Sequence, residues 1–292
     1  MTPLRQQMIE DMQIRGLAKS TQVAYVRSVR QLAEYFGKSP AQITDQELRQ
    51  YLLYLRNDKH VSASTFTVIC SAIKFLYRYT LKRTLSTIEW ARAPKERKLP
   101  AVFSVDEVHR LLGCIHKERY RACLGTIYAC GLRLREGIQL RVQDIDSARM
   151  LVHVHRGKGS KDRYVPLPQG TLETGEAVRR FWATHRNPTW LFPGKPPRGQ
   201  PVSAATIHVA SRTIQFVFHA ALRESGIQKP ASVHTLRHSY ATHLYDAGVD
   251  LRQIQGYLGH SRIQSTTIYV HLSPETKEDA VETINQVIQV EL

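Results

Sequence analysis

The feature that most constrains this 292-residue chain is a break in its hydrophobic pattern. Between about Lys82 and Pro100 the apolar periodicity fades, and Lys95, Arg97 and Lys98 stand between Pro94 and Pro100. Such a basic, proline-bounded stretch reads as an interdomain linker, because it offers few apolar side chains to hold it against a core. The chain also exceeds the usual size of one domain. The expected organisation is therefore a helical domain over residues 1–85, a basic linker over 86–100, a second domain over 101–274 and a short tail over 275–292. With 42% hydrophobic and 23% charged residues, the composition is that of a chain able to bury a core.

Periodicity predicts helices on both sides of the break. After an N-cap at Ser20, Tyr25, Val29, Leu32 and Phe36 recur at helical spacing before a glycine stop at Gly37. Asp45 is read as the cap of a segment in which Leu48, Leu52 and Leu55 share a face. A third segment starts near Ser64 and turns Phe66, Ile69, Ile73 and Leu76 inward; with Thr2 to Arg15 this makes a four-helix unit. The second domain opens on the capping box Ser104-Val-Asp-Glu107, with Val105, Val108, Leu111 and Leu112 as the apolar face. Alternation in Leu151–His155 and Tyr164–Leu167, around Gly157-Lys-Gly-Ser-Lys-Asp162, predicts a β-hairpin. The fold class is mainly α, with a small antiparallel sheet in the second domain.

Charge points to the partner. The formal net charge is +16, with 17 basic against 8 acidic residues in 1–100 and 23 against 12 in 101–274. Two basic domains suit a polyanion, since neutralised phosphates release counterions. The four cysteines are widely spaced and form no CxxC pair, so they read as small core residues. His234 and His238 stand four apart, and His153 and His155 can project from one strand face, but no HExxH motif accompanies them and no metal or other cofactor is expected. Met1 to Gln13 carry charges and no apolar run, and no later stretch has the length of a membrane span, so a cytoplasmic, nucleoid-associated place is expected.

Three features of the second domain carry chemistry. In Gly131-Leu-Arg133-Leu-Arg-Glu136 a helix stops at glycine and presents Arg133, with Glu136 one turn on to hold its other donors. In the hairpin, Lys158 between two glycines can bring an ammonium close to a strand of nucleic acid. His234 and Arg237 share the first turn of a helix, where exposed amides favour an anion. Leu258-Gly-His260 follows, and Tyr269 stands nine residues after His260.

In this order, Arg133, Lys158, His234, Arg237, His260 and Tyr269 resemble the signature residues of the tyrosine recombinase (phage integrase) family. The likeness extends to Gly-Lys-Gly-x-Lys-x-Arg-x-Val-Pro-Leu and His-x-Leu-Arg-His-x-x-Ala-Thr-His. It covers nearly the whole chain and is greatest to single-chain Xer-type and integron-type members. One departure is Arg135, where many relatives have a small polar residue. The resemblance implies an N-terminal SAM-like core-binding domain, a catalytic domain clamped with it around double-stranded DNA, and site-specific recombination through a 3′-phosphotyrosyl link. It implies Tyr269 as nucleophile, Arg133 and Arg237 as phosphate clamp, Lys158 as the acid for the 5′ oxygen, His234 and His260 in acid-base support, and Glu136 as orienter. No metal and no ATP is needed for such chemistry. It further implies a monomer when free and a tetrameric synapse on DNA. The tail, with Val281, Ile284, Val287 and Ile288 at helical spacing, is expected to form a short amphipathic helix whose apolar face either packs on its own domain or, as the resemblance implies, docks on a neighbouring protomer. Two other readings fit part of the pattern: a nicking and relaxing enzyme like the type IB topoisomerases, and a catalytically silent DNA-binding regulator.

Overall fold

A computed structural model describes residues 2–92, 99–155, 162–168, 175–260 and 262–269. It divides into two compact units, Met1–Lys98 and Leu99–Leu292. Lys158 and the tail, residues 275–292, for which the sequence predicts a helix, lie outside the described residues.

The first unit packs helices α1 (Pro3–Ile14), α2 (Lys19–Phe36), α3 (Asp45–Asn57) and α4 (Ala63–Phe75), the last continued by one wide π turn, Leu76–Thr80. Met8, Met12, Leu32, Leu48, Leu55, Ile69, Ile73 and Leu76 form its buried core. Fully burying each such side chain contributes roughly 1.5–3 kcal/mol. Gly37 ends α2 in the left-handed region, as the glycine stop predicts.

Three local expectations change. Helix α2 begins a residue before Ser20, and its N-cap position, Ala18, has no side-chain cap. Thr44, not Asp45, caps α3 through a capping box with Glu47. Asp45 instead accepts hydrogen bonds from the Ser86 hydroxyl and the Thr87 amide (3.0 Å). These residues open a fifth helix, α5 (Ser86–Trp90), within the segment read as linker. Leu85 and Ile88 are buried in the first core. Five residues of helix are too short to show a 3.6-residue period, and the fading pattern concealed them.

The second unit opens with α6 (Val105–Gly113) behind the predicted Ser104–Glu107 capping box. Val108, Leu111 and Leu112 are fully buried, whereas Val105, at the first helical position, is 46% exposed and not part of the inner face. Helix α7 (Glu118–Ala129) buries Ala122 to Ile127 in succession, so it runs through the middle of the unit. The short α8 (Leu134–Ile138) follows. Strands β1 (Ile145–Asp146), β2 (Leu151–Val154) and β3 (Arg163–Pro166) form an antiparallel sheet in that order, with Val152 opposite Val165 and His153 opposite Tyr164. Val152, Val154 and Val165 face the core, so His153 and Tyr164 stand on the other face. Helices α9 (Gly175–His185), α10 (Ser211–Glu224), α11 (Val233–Asp246) and α12 (Leu251–Leu258) complete the unit. Two single 3-10 turns, Ile263–Ser265 and Thr267–Tyr269, end the described chain. All four cysteines are free, and Cys70, Cys123 and Cys130 are buried. No helix among the described residues is long and apolar enough to cross a membrane.

Candidate active site

Helix α7 stops at Gly131, whose φ of +56° only glycine adopts easily. A Cβ there would also stand 2.3 Å from the ring of Tyr240, so the residue meets both a conformational and a packing requirement. The turn makes Arg133 the N-cap of α8, and Glu136 reaches back to its amide (2.9 Å) and its guanidinium (Nη1 to Oε1, 2.7 Å). A second guanidinium grips the same carboxylate: Arg163, the first residue of β3, donates Nη1 and Nη2 to Oε1 and Oε2 at 3.2 and 2.7 Å. Its Nε–H is held by the Tyr257 carbonyl at the end of α12 (2.7 Å). Burial opposes the charge on Glu136, but Arg163 and Arg133 override it and bring its pKa to about 2.

Arg237 is 1% exposed on the inner side of α11. Its Nη1 donates to the Gly131 carbonyl (2.7 Å) and its Nη2 to the Leu258 carbonyl, with Glu136 Oε2 3.8 Å from Nη1. The Leu258 carbonyl is presented by the left-handed C-cap Gly259 (φ 61°), where a Cβ would come within 3.0 Å of Arg163. Both glycines therefore serve the arginines. Burial and the neighbouring Arg133 lower the Arg237 guanidinium to about 9, which leaves it charged at neutral pH. Two of its five N–H donors are committed to these carbonyls. His234 keeps a face open to solvent, while the protein around the rest of its ring lowers its pKa, with Arg237 and Arg133 adding to the effect.

Tyr269 is also 1% exposed, on its 3-10 turn, and packs with Tyr240, Ile254 and Leu258. Its hydroxyl is hydrogen-bonded to Nδ1 of His238 (3.1 Å), the residue one turn after His234 on α11. Burial raises the Tyr269 pKa, with Arg237 and Arg133 pulling the other way. His260 stacks over the same ring, the planes 15° apart and the centroids separated by 6.5 Å. Its Nδ1 is held by the buried Thr266 hydroxyl (3.0 Å), which leaves Nε2 for a ligand. Burial, with positive charge from Arg237 and other neighbours, lowers His238 and His260 to about 4, so both rings are neutral at pH 7.

Of the residues singled out in the sequence, Arg133, Glu136, His234, Arg237, His260 and Tyr269 are thus brought together from α8, α11 and the chain after α12. Sequence reasoning missed two participants. Arg163 stands in the quoted Gly-Lys-Gly-x-Lys-x-Arg motif, directly before the predicted strand Tyr164–Leu167, and that motif was the available signal. His238 stands in the quoted His-x-Leu-Arg-His motif, but its spacing of one turn from His234 pointed to a histidine pair and not to Tyr269. Three guanidiniums around one carboxylate leave an excess of positive charge that a phosphodiester can balance.

The sequence model of the phage integrase family matches residues 101–276, and that of the phage integrase N-terminal SAM-like domain matches residues 4–87. The chain belongs to the phage integrase family. This integrase-family protein is accordingly a tyrosine recombinase, an enzyme of site-specific DNA recombination. It is 39% identical to the y4qK protein of Sinorhizobium fredii, named as an integrase/recombinase, over 94% of this chain and 85% of that one. It is 32% identical to the tyrosine recombinase XerD of Bifidobacterium longum, over 90% of each. Its fold superimposes on the XerH site-specific recombinase bound to difH substrate in a post-cleavage complex, with a TM-score of 0.69 and 22% identity over 91% of this chain and 80% of that one. A lambda integrase dimer bound to a core site gives a TM-score of 0.72 at 18% identity, over 89% and 92%.

Proposed function

We propose that this recombinase cuts and rejoins double-stranded DNA at specific sites with Tyr269 as its nucleophile. The observation that carries the reading is the placement of Tyr269, with its hydroxyl on His238, its ring parallel to that of His260, and both within the field of Arg133 and Arg237. Tyr269 Oη attacks the scissile phosphorus in line, the phosphorus–O5′ bond breaks, and Lys158 gives the leaving oxygen its proton. Arg133 and Arg237 neutralise the non-bridging oxygens as the charge on them grows, and Glu136, held by Arg163, keeps Arg133 in place. His234 and His260 handle the proton that the tyrosine releases. The phosphotyrosyl ester conserves the bond energy, so the 5′ hydroxyl of another strand can reverse the step without a nucleotide cofactor.

Tyr269 and Arg237 are both enclosed, so engagement of a phosphate involves release of the tyrosine from His238 and use of the remaining Arg237 donors. The protein is a monomer when free and works as a tetramer on paired sites, with residues 275–292 reaching a neighbouring protomer. A nicked suicide substrate tests the central claim: wild type accumulates a covalent protein–DNA adduct and Tyr269→Phe gives none while binding the duplex as tightly. An adduct formed by the Phe variant would remove Tyr269 from the role. Exchange between two marked duplexes separates recombination from simple relaxation.

A further inference from the structure

The recombination chemistry makes no use of a cluster at the end of the sheet. His153 and His155 project from β2 and its end on one face, two residues apart, with ring centroids 3.9 Å from each other. Asp162, the residue before β3, stands between their nitrogens: its Oδ2 lies 3.2 Å from His153 Nε2 and 3.5 Å from His155 Nδ1. One donor atom from each of the three residues falls within 4.8 Å of the others.

Those separations have a meaning. Two donors each about 2.0–2.1 Å from a tetrahedral ion stand roughly 3.3 Å apart. The two separations, 3.2 and 3.5 Å, bracket that value, and the pairing of Val154 with Arg163 holds the two strand ends side by side.

An independent contact orients one of the rings for the same purpose. The other nitrogen of His155, Nε2, donates to Oδ1 of Asp144 at 2.9 Å, and Asp144 is 3% exposed. Asp144 is itself fixed through Oδ2 by the Arg141 amide (2.8 Å). A carboxylate behind a histidine sets the tautomer and turns the opposite nitrogen outward as a donor, the arrangement found behind metal-bound histidines. His153 is held in its turn by stacking on Tyr164, with planes 14° apart.

We propose that His153, His155 and Asp162 form a binding site for a divalent first-row transition ion of the Zn²⁺ class, with Asp144 as the buried carboxylate that orients His155. Two imidazoles and one carboxylate select such an ion over Mg²⁺ or Ca²⁺, which take oxygen-only sets, and a fourth position remains for water. The site joins the residues on either side of segment 156–161, which carries Lys158, and takes no part in bond cleavage.

The full-length protein is titrated with Co²⁺ as a spectroscopic probe and with Zn²⁺ in competition, on protein first stripped with EDTA. The expected result is one equivalent of Co²⁺ giving the intense visible absorption of a four- or five-coordinate site, displaced by Zn²⁺. The spectrum is lost in His155→Ala and in the His153→Ala/Asp162→Asn double variant, and Asp144→Asn weakens affinity by about 10- to 100-fold. Melting curves establish that each variant is folded, and an unfolded Asp144→Asn is replaced by Asp144→Glu, for which a smaller loss is expected. EDTA-stripped wild type keeps its DNA cleavage, which separates this claim from the role of Tyr269. Absence of a Co²⁺ spectrum in wild type, or one that persists unchanged in the double variant and in His155→Ala, overturns the proposal.

Discussion

The hydroxyl of Tyr269 and Nδ1 of His238 are 3.1 Å apart, which joins the chain after α12 to the second turn of α11 through one hydrogen bond. Because burial keeps His238 neutral, with a pKa of about 4, the ring is a weak base and serves to position the tyrosine by accepting its proton in a hydrogen bond.

That assignment yields the first prediction. His238→Ala slows covalent adduct formation by about 10- to 100-fold, the range expected when a reacting group is misplaced by an ångström or so. His238→Asn, which returns an acceptor oxygen near the position of Nδ1, recovers most of the rate. Single-turnover cleavage of a suicide substrate at saturating protein measures both, and an Asn variant as slow as the Ala variant would deny the positioning role.

Arg163 supplies the second. Its guanidinium makes two bonds to the buried Glu136 and one to the Tyr257 carbonyl, so Arg163→Ala leaves a carboxylate with too few partners. Removing one member of such a pair costs about 3–5 kcal/mol, and Arg163→Lys, which lacks the fork, falls between wild type and Ala. Urea unfolding monitored on the second unit gives the values. A loss below 1 kcal/mol in Arg163→Ala would mean that Arg133 alone satisfies Glu136.

Lys158→Ala should lower the cleavage rate by roughly 10²- to 10⁴-fold, the contribution of a general acid. A substrate with sulfur at the bridging 5′ position restores the rate, because a thiolate leaves without a proton. Lack of rescue transfers the acid role to another side chain.

Stability should also depend on pH in a defined window. His238 and His260 have folded pKa values of about 4, against about 6.5 in an unfolded chain. Between those limits the unfolded state binds protons that the folded state refuses. Their contribution is therefore complete above pH 6.5 and is lost as pH falls towards 4, with a slope of up to about 1.4 kcal/mol per pH unit for each ring. Glu136, held at about 2, adds a further loss below its ordinary value of 4.5. Denaturant midpoints measured from pH 7.5 to 4.5 should fall steadily in wild type and less steeply in His260→Gln. Equal slopes in the two proteins would show that His260 charges freely in the folded state.

The sequence by itself determined the helices with a full apolar stripe, the Ser104 capping box, the β2–β3 pairing and the glycine stop at Gly131, because each follows from contacts within a few residues. It also held the family signature, so Arg133, Arg237, His260 and Tyr269 could be named before their geometry was known. It did not disclose α5, whose five residues are too few for a period and whose start is fixed by Asp45, more than forty residues away. Nor could it disclose that Arg163 also holds Glu136, that His238 rather than His234 meets the Tyr269 hydroxyl, or that Asp144 stands behind His155. Those pairings join residues 11 to 31 positions apart or unite separate elements, and only the packing of α8, α11, α12 and the sheet around one core brings their polar atoms within 3 Å or so. Local rules decide which segments coil or extend, whereas the partner of a buried charge is chosen by whichever element the core places opposite it.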